Sequence, residues 1–287
     1  IEINGSYGEG GGQILRTSLS MSTILDEPLR LFNIRKNRSK PGLSYQHLKS
    51  IEVLQEITDA EVKGAELRSK EIIFKPQTIN YGEFEVDIGT AGSVTLLLQT
   101  IIPILTRIKD EIKISVVGGT DVKWSPSIDY FKYVFLNTLK KFGLNAEVEV
   151  KKRGYYPKGG GKVVLIGSPS SLSPIMLGKL EEIEKVKGIS HCGNLPEHVA
   201  RRQKKSAEKN LDFPTSIKTE VVNSLSPGSG VTLWLEGSNN SIGSISLGER
   251  GKPAERVGSE SASRLLSQIK LGGPAVDKYS GDQLIPY

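Results

Sequence analysis

A βαβαββ order of elements can be read twice within residues 1–165, and this repeat restricts the chain to a body assembled from similar units. In the first copy, hydrophobic patterning predicts a strand at Ile1–Ile3, a glycine turn at Gly10–Gly12, a helix at Gln13–Leu25 and a strand at Leu29–Ile34. A basic loop, a helix over Pro41–Thr58 and strands at Ala60–Leu67 and Glu71–Lys75 complete it. The second copy runs from strand Glu83–Ile88 through turn Gly89–Gly92, helix Ser93–Ile108, strand Glu111–Val117, loop Gly118–Pro126 and helix Ser127–Phe142. It closes with strands Ala146–Val150 and Lys162–Ile166, giving a period of about 80 residues.

The pattern changes after Pro169. Leu180–Glu184 opens a differently composed stretch, and Pro196–Leu211 predicts a helix with a basic face of Arg201, Arg202, Lys204 and Lys205. Gly230–Gly237 and Ser241–Leu247 alternate apolar and polar residues around a Gly-Ser-Asn-Asn turn, as a hairpin does. Pro253–Leu271 reads as a further helix, ended by Gly272-Gly273-Pro274. The expected organisation is a main domain of residues 1–177 and 273–287 with an inserted α+β domain over 178–272.

At 287 residues the chain can bury an ample core. Its single cysteine, Cys192, excludes a disulfide framework and a cysteine-based zinc site. There is no apolar run long enough to span a bilayer and no signal-like start, so a cytoplasmic protein without membrane contact is expected. The net charge of +6 favours an acidic partner such as RNA or a nucleotide. An aromatic content of 6% argues against a sheet that binds single strands by many stacked rings.

Gly8-Glu9-Gly10-Gly11-Gly12-Gln13-Ile14-Leu15-Arg16 follows the first strand directly. A strand feeding glycines and then a helix makes a backbone anion cradle at the helix N-terminus. It is neither a Walker loop nor a Rossmann fingerprint. Glu9 places a carboxylate in the cradle, which suits a metal-bridged phosphate, and Arg16 lies one turn on, on the face shared with Gln13. The loop Arg35-Lys36-Asn37-Arg38-Ser39-Lys40-Pro41-Gly42 gathers cations before a proline-started helix, which suits a terminal phosphate, although charge runs are commonly just solvated. Gln46 and His47 follow, and a histidine beside arginines can donate to a phosphate oxygen. Gln99 is a polar residue in an apolar run and needs a partner. Gly118-Gly119-Thr120-Asp121 and Tyr155–Gly161 are glycine-rich connections that can be simple turns, although the second could also carry Lys158 towards a polyanion. Trp124 and Trp234 are expected to pack in the core or a loop, and Cys192 beside His191 to be a buried small residue.

Taken together these segments resemble the RNA 3′-terminal phosphate cyclase family in its archaeal form. The resemblance is carried by Gly8–Arg16, by Arg38-x-Lys40-Pro41-Gly42-Leu43 with Gln46-His47-Leu48, and by Gly92-Ser93 with Leu98-Gln99-Thr100. Gly118–Asp121, then Tyr156-Pro157 before Gly159-Gly160-Gly161, then Asp282-Gln283-Leu284 extend it to the end of the chain. It implies an α+β fold of repeated βαβαββ units, two complete here and the third interrupted and truncated, with a smaller inserted α+β domain. It also implies a ligase-type nucleotidyl transfer in RNA processing. ATP adenylates a histidine, AMP passes to an RNA 3′-phosphate, and the neighbouring 2′-hydroxyl displaces AMP to leave a 2′,3′-cyclic phosphate.

Carried over by position, Glu9 would hold a divalent metal, Mg or Mn, while Arg16, Arg38, Gln46 and His47 receive the RNA 3′-phosphate with help from Arg35. Glu9, Arg16, Arg38 and His47 are thus the expected catalytic set. Gln99, Pro126 and Tyr279, Ser280, Gly281, Asp282 and Gln283 would line the ATP pocket. Ser244-Ile245-Ser246-Leu247 would give the adenine only aliphatic cover. A homo-oligomer is compatible with the resemblance. The family's nucleophilic histidine lies beyond Asp282-Gln283-Leu284, and none of His47, His191 and His198 matches it. The chain as given is therefore expected to bind ligands without becoming adenylated.

A non-catalytic relative in ribosomal RNA processing is the first rival reading, but such relatives depart from the Gly8–Arg16 and Arg38–Gly42 patterns kept here. An enolpyruvyl transferase also repeats βαβαββ units, yet it would carry an arginine shortly after the second glycine turn, where Val94–Leu98 contains none. A plain nucleic-acid binder would explain the charge and leave Glu9 without a role.

Overall fold

The structure is a computed structural model and describes residues 1–180, 183–236, 242–270 and 273–287. Strand β1 (Glu2–Asn4) leads into helix α1 (Gly12–Leu25), and β2 (Leu29–Phe32) returns parallel to β1 with Ile3 opposite Leu31. Parallel neighbours need a crossover, which α1 supplies. Helix α2 (Tyr45–Thr58) then leads to β3 (Glu61–Lys63) and β4 (Ile72–Lys75), and the first sheet has the order β1-β2-β4-β3. In the second copy β5 (Gly82–Asp87), α3 (Val94–Ile101) and β6 (Ile112–Gly118) repeat the parallel crossover. Three linked segments follow: α4 (Ile128–Tyr130), a π turn at Phe131–Phe135 and α5 (Leu136–Lys141). With β7 (Ala146–Lys152) and β8 (Gly161–Gly167) the second sheet has the order β5-β6-β8-β7. Strand order and direction match the first sheet throughout, so the repeat read in the sequence is a repeat of topology.

One apolar core serves both copies, with Leu15, Leu19, Ile51 and Leu54 from the first joining Leu97, Leu98, Ile101 and Phe131 from the second. Alternate residues of β6 are buried, as expected of a strand with one covered face. The hydroxyl of Ser20 donates to the Thr100 carbonyl at 2.7 Å and fastens α1 to α3.

Three expected boundaries move for local reasons. Helix α2 begins at Tyr45 rather than Pro41, because Ser44 takes the N-cap and Pro41–Leu43 run as a loop hydrogen-bonded to Ile34 and Ser69. The helix over Ser93–Ile108 stops at Ile101, and Pro103, with no N–H to give, starts a tighter 3₁₀ turn at Ile102–Thr106. The strand expected over Ala60–Leu67 is cut to Glu61–Lys63 by Gly64, whose φ of 78° turns the chain.

A third sheet is built from β9 (Lys185–Gly193), β10 (Thr215–Val222), β11 (Gly228–Glu236) and β12 (Gly243–Leu247), in the order β10-β9-β11-β12. Helix α6 (His198–Lys209) crosses between the parallel β9 and β10, and α7 (Ala254–Lys270) packs beside it. Val186, Ile217, Val231, Leu233, Val257 and Leu265 form a second, smaller core. The β11–β12 hairpin agrees with the sequence reading, while its Gly-Ser-Asn-Asn turn, like the residue pair ending the α7 segment, lies outside the described residues. Strands β9 and β10 were not foreseen: β9 is buried along nearly its whole length, so it shows no polar alternation, and it carries Gly188, Ser190, His191 and Cys192 in place of β-branched residues. The chain ends in α8 (Lys278–Leu284), which places Leu284 and Tyr287 against the first core. Among the described residues no helix is long and apolar enough to cross a membrane.

Candidate functional site

The glycine cluster forms the cradle that its sequence suggests. Gly8 and Gly10 take φ values of 55° and 58°, and Gly11 caps α1 in an extended conformation with no side chain covering the free N–H groups of the first turn. Side chains from elsewhere converge on this end. A methyl group on Gly12 would clash with His47 Nε2 and lie 3.1 Å from an Arg16 guanidinium nitrogen, and one on Gly11 would lie 3.4 Å from Arg38. The helical N–H groups at the site are those of α1, because α2 starts three residues beyond the loop that was expected to feed it.

The electrostatics of this cluster are unbalanced. Arg16 has no carboxylate partner among the described residues, and burial lowers its pKa to about 10. His47 is buried, and its Nδ1 accepts the Ser44 N–H at 3.1 Å, which leaves the proton of the neutral ring on Nε2, facing Gly12. Burial, then the nearby charges of Arg16 and Arg35, lower its pKa to about 3. Arg35 donates to the Gly42 carbonyl at 2.8 Å, and burial followed by Arg38 and Arg68 lowers its pKa as well. Gln46 keeps a buried Nε2 without a hydrogen-bond partner among the described residues. The arrangement offers cations, a neutral N–H donor and helix N–H groups to one small anion.

Glu9 is 86% exposed and accepts from Arg38 at 2.8 Å. One exposed carboxylate is a poor metal site alone, yet it fits a magnesium-type ion that arrives on a phosphate and keeps most of its waters.

Beside the cradle lies a cavity of 270 Å³ lined by Gln13, Arg16, Gln99, Pro126, Tyr279, Asp282 and Gln283, among others. The expected nucleotide residues therefore share one pocket with Arg16, and Gln99 donates to Gln283 at 2.5 Å across it. Ser280 and Gly281 depart from expectation, being absent from the lining. Ser280 is buried, held by Tyr130 Oη at 2.8 Å and by Asp277, which caps α8.

Trp124 is a second departure. It is 94% exposed with φ of 61°, a conformation that costs a bulky residue energy, and it borders this cavity and two larger neighbours. In one of these, of 680 Å³, it faces a lining that includes Tyr279, Ile245 and Leu247, so the cover there is aromatic as well as aliphatic. Trp234 does pack, stacked on Tyr133 at 4.5 Å.

A buried charge network missed at the level of sequence joins the second and third sheets. Arg153 lies 3.2 Å from Asp121, 2.9 Å from Asp129 and 2.8 Å from Glu220. His191 Nε2 is 3.3 Å from Asp121, and its Nδ1 is 2.9 Å from the Tyr155 hydroxyl. Burial raises Asp121, but His191 and Arg153 outweigh it and hold the carboxyl below its ordinary value, whereas burial wins at Asp129 and raises it. Against its own burial, the carboxylates hold Arg153 above its ordinary value. Asp121, Asp129 and His191 are spaced like metal ligands, but the guanidinium of Arg153 already supplies the cation. Gly118–Asp121 and Tyr155–Gly161 gave sequence signals here, whereas Asp129, Arg153 and Glu220 gave none. Cys192 is a free, buried residue whose thiol burial pushes up, as expected.

A family model described as RNA 3′-terminal phosphate cyclase matches residues 7–287. The chain is 49% identical over 291 residues to the RNA 3′-terminal phosphate cyclase of Pyrococcus abyssi, covering 100% of this chain and 85% of the relative. It is 48% identical over 298 residues to that of Methanopyrus kandleri, covering 100% and 84%. With that of Archaeoglobus fulgidus it shares 48% over 291 residues, covering 100% and 86%.

Proposed function

The chain belongs to the RNA 3′-terminal phosphate cyclase family, and we propose that it serves the ATP-dependent conversion of an RNA 3′-phosphate to a 2′,3′-cyclic phosphate through enzyme-AMP and RNA-AMP intermediates. The observation that carries this reading is the convergence of Arg16, Arg38 and His47 on the N-terminus of α1. A phosphomonoester does not cyclise readily, because its leaving group would be oxide or hydroxide. Adenylation turns that oxygen into a good leaving group, and ATP leaves as AMP and pyrophosphate over the full cycle.

The terminal phosphate docks in the cradle. Arg16 and Arg38 offset its charge, and His47 donates Nε2–H to one of its oxygens. Arg35 and Gln46 complete the binding face, Arg35 from its place on the Gly42 carbonyl. ATP occupies the neighbouring cavity, against Gln99, Pro126, Tyr279, Asp282 and Gln283. Glu9 would hold a Mg or Mn ion, which would offset phosphate charge, and Arg38, paired with Glu9 across the cradle, faces the RNA phosphate. Residues 178–272 act as an inserted α+β domain on the main body, in a cytoplasmic protein that works on RNA ends.

The test is direct. The full-length protein, given ATP, a divalent metal and an RNA ending in 3′-phosphate, forms a covalent, acid-labile AMP adduct and yields 2′,3′-cyclic ends. Neither adduct nor cyclic ends would overturn the reading in favour of an assembly protein.

A further inference from the structure

A cavity of 1200 Å³ adjoins the cradle and shares Leu96 and Trp124 with the 270 Å³ pocket, but its lining also includes Gln46, Tyr156 and Arg250. It exceeds the roughly 300–1,000 Å³ of an ordinary small-ligand pocket. Gln46 borders it from the phosphate side, while its buried Nε2 has no hydrogen-bond partner among the described residues. An RNA whose last phosphate sits among Arg16, Arg38 and His47 has to lead its preceding nucleotide away past a neighbouring surface, and Gln46 marks where the two spaces meet.

Tyr156 is built as a platform on that surface. It is 76% exposed, and its ring has no aromatic or cationic partner among the described residues. Its loop is nonetheless clamped on three sides. Tyr155 is buried and bonded to His191, and the Lys158 N–H donates to the Ser226 hydroxyl at 3.1 Å. Gly159, with φ of 68°, lies so close to the Thr90 carbonyl that no Cβ would fit. A bare ring carried on a clamped loop, in a chain with few aromatics, is a surface on which a base can stack. Arg250 also lines the cavity, exposed and with no ion pair among the described residues, whereas Lys123 in the same lining is paired to Glu249 at 2.8 Å.

We propose that this cavity binds the RNA nucleotide preceding the 3′-phosphorylated one, its base stacked on Tyr156 and its phosphate facing Arg250. The inference rests on the cyclase reading above. Because a ring face accepts any base, the subsite gives RNA affinity without sequence preference.

The probes are a fluorescently labelled RNA trinucleotide ending in 3′-phosphate, followed by anisotropy, and ATP, followed by calorimetry. Tyr156→Ala weakens the trinucleotide about five- to 100-fold, while Tyr156→Phe binds as the wild type does. Arg250→Ala lowers the slope of log affinity against log salt by about 0.7. ATP affinity stays unchanged in all three variants, which also reports an intact fold. Trinucleotide affinity unchanged in Tyr156→Ala, or ATP affinity falling in parallel with it, would overturn the proposal. A wild type that binds 3′-phosphate and 3′-hydroxyl ends equally would instead sink the cyclase reading, whatever Tyr156 does.

Discussion

Arg153 is fully buried and Arg16 partly so, at the edge of the pocket, and their surroundings treat them in opposite ways. Arg153 is enclosed by Asp121, Asp129 and Glu220, and its charge is held above its ordinary pKa. Arg16 meets Arg35 and His47 on the same face, has no carboxylate among the described residues, and falls to about 10. A compensated buried cation is a structural lock, here between the second and third sheets. An uncompensated one is held at a cost to stability that a bound anion relieves, which marks a binding site.

The sharpest way to break this comparison is to remove the locked cation. Arg153→Met leaves Asp121 and Asp129 buried without their partner and should cost about 3–5 kcal/mol in urea unfolding. A loss below about 1 kcal/mol would mean the network does not join the two sheets. Next in size is the pH response of His47. Its folded pKa of about 3 lies below the unfolded 6.5, so only the unfolded chain takes up a proton between those values. Stability is therefore whole above pH 6.5 and falls as pH drops, by about 2 kcal/mol at pH 5. His47→Gln should flatten this part of the stability profile relative to the wild type, and identical slopes would contradict a neutral His47. The smallest effect is expected at Glu9→Gln. Both partners of its ion pair are exposed, so stability should change by less than about 0.5 kcal/mol. The metal dependence of ATP binding should weaken all the same, and a variant with wild-type metal dependence would remove Glu9 from that role.

What could be read from the sequence follows the same division. The repeat was legible because each copy carries its own glycine turn and crossover helix, and the cradle was legible because Gly8–Arg16 is contiguous. Tyr279, Asp282 and Gln283 border the cavity beside Arg16, but helical geometry turns Ser280 inward to Tyr130, which a run of neighbouring residues cannot reveal. The Arg153 network stayed hidden because its members are spread from Asp121 to Glu220 and meet only when β9 and β10 pack against the main body. Trp124 misled because an indole is ordinarily buried, whereas its positive φ holds this one out in the open.

The central claim is that unbalanced charge at the α1 N-terminus selects a terminal phosphate. It is tested by measuring the affinity of one RNA oligomer carrying either a 3′-phosphate or a 3′-hydroxyl, in the wild type and in Arg16→Ala. The wild type should prefer the phosphate end by about 10- to 100-fold, and Arg16→Ala should lose most of that preference while unfolding at no lower urea concentration. Equal affinity for the two ends in the wild type, or a preference undiminished in Arg16→Ala, would contradict it.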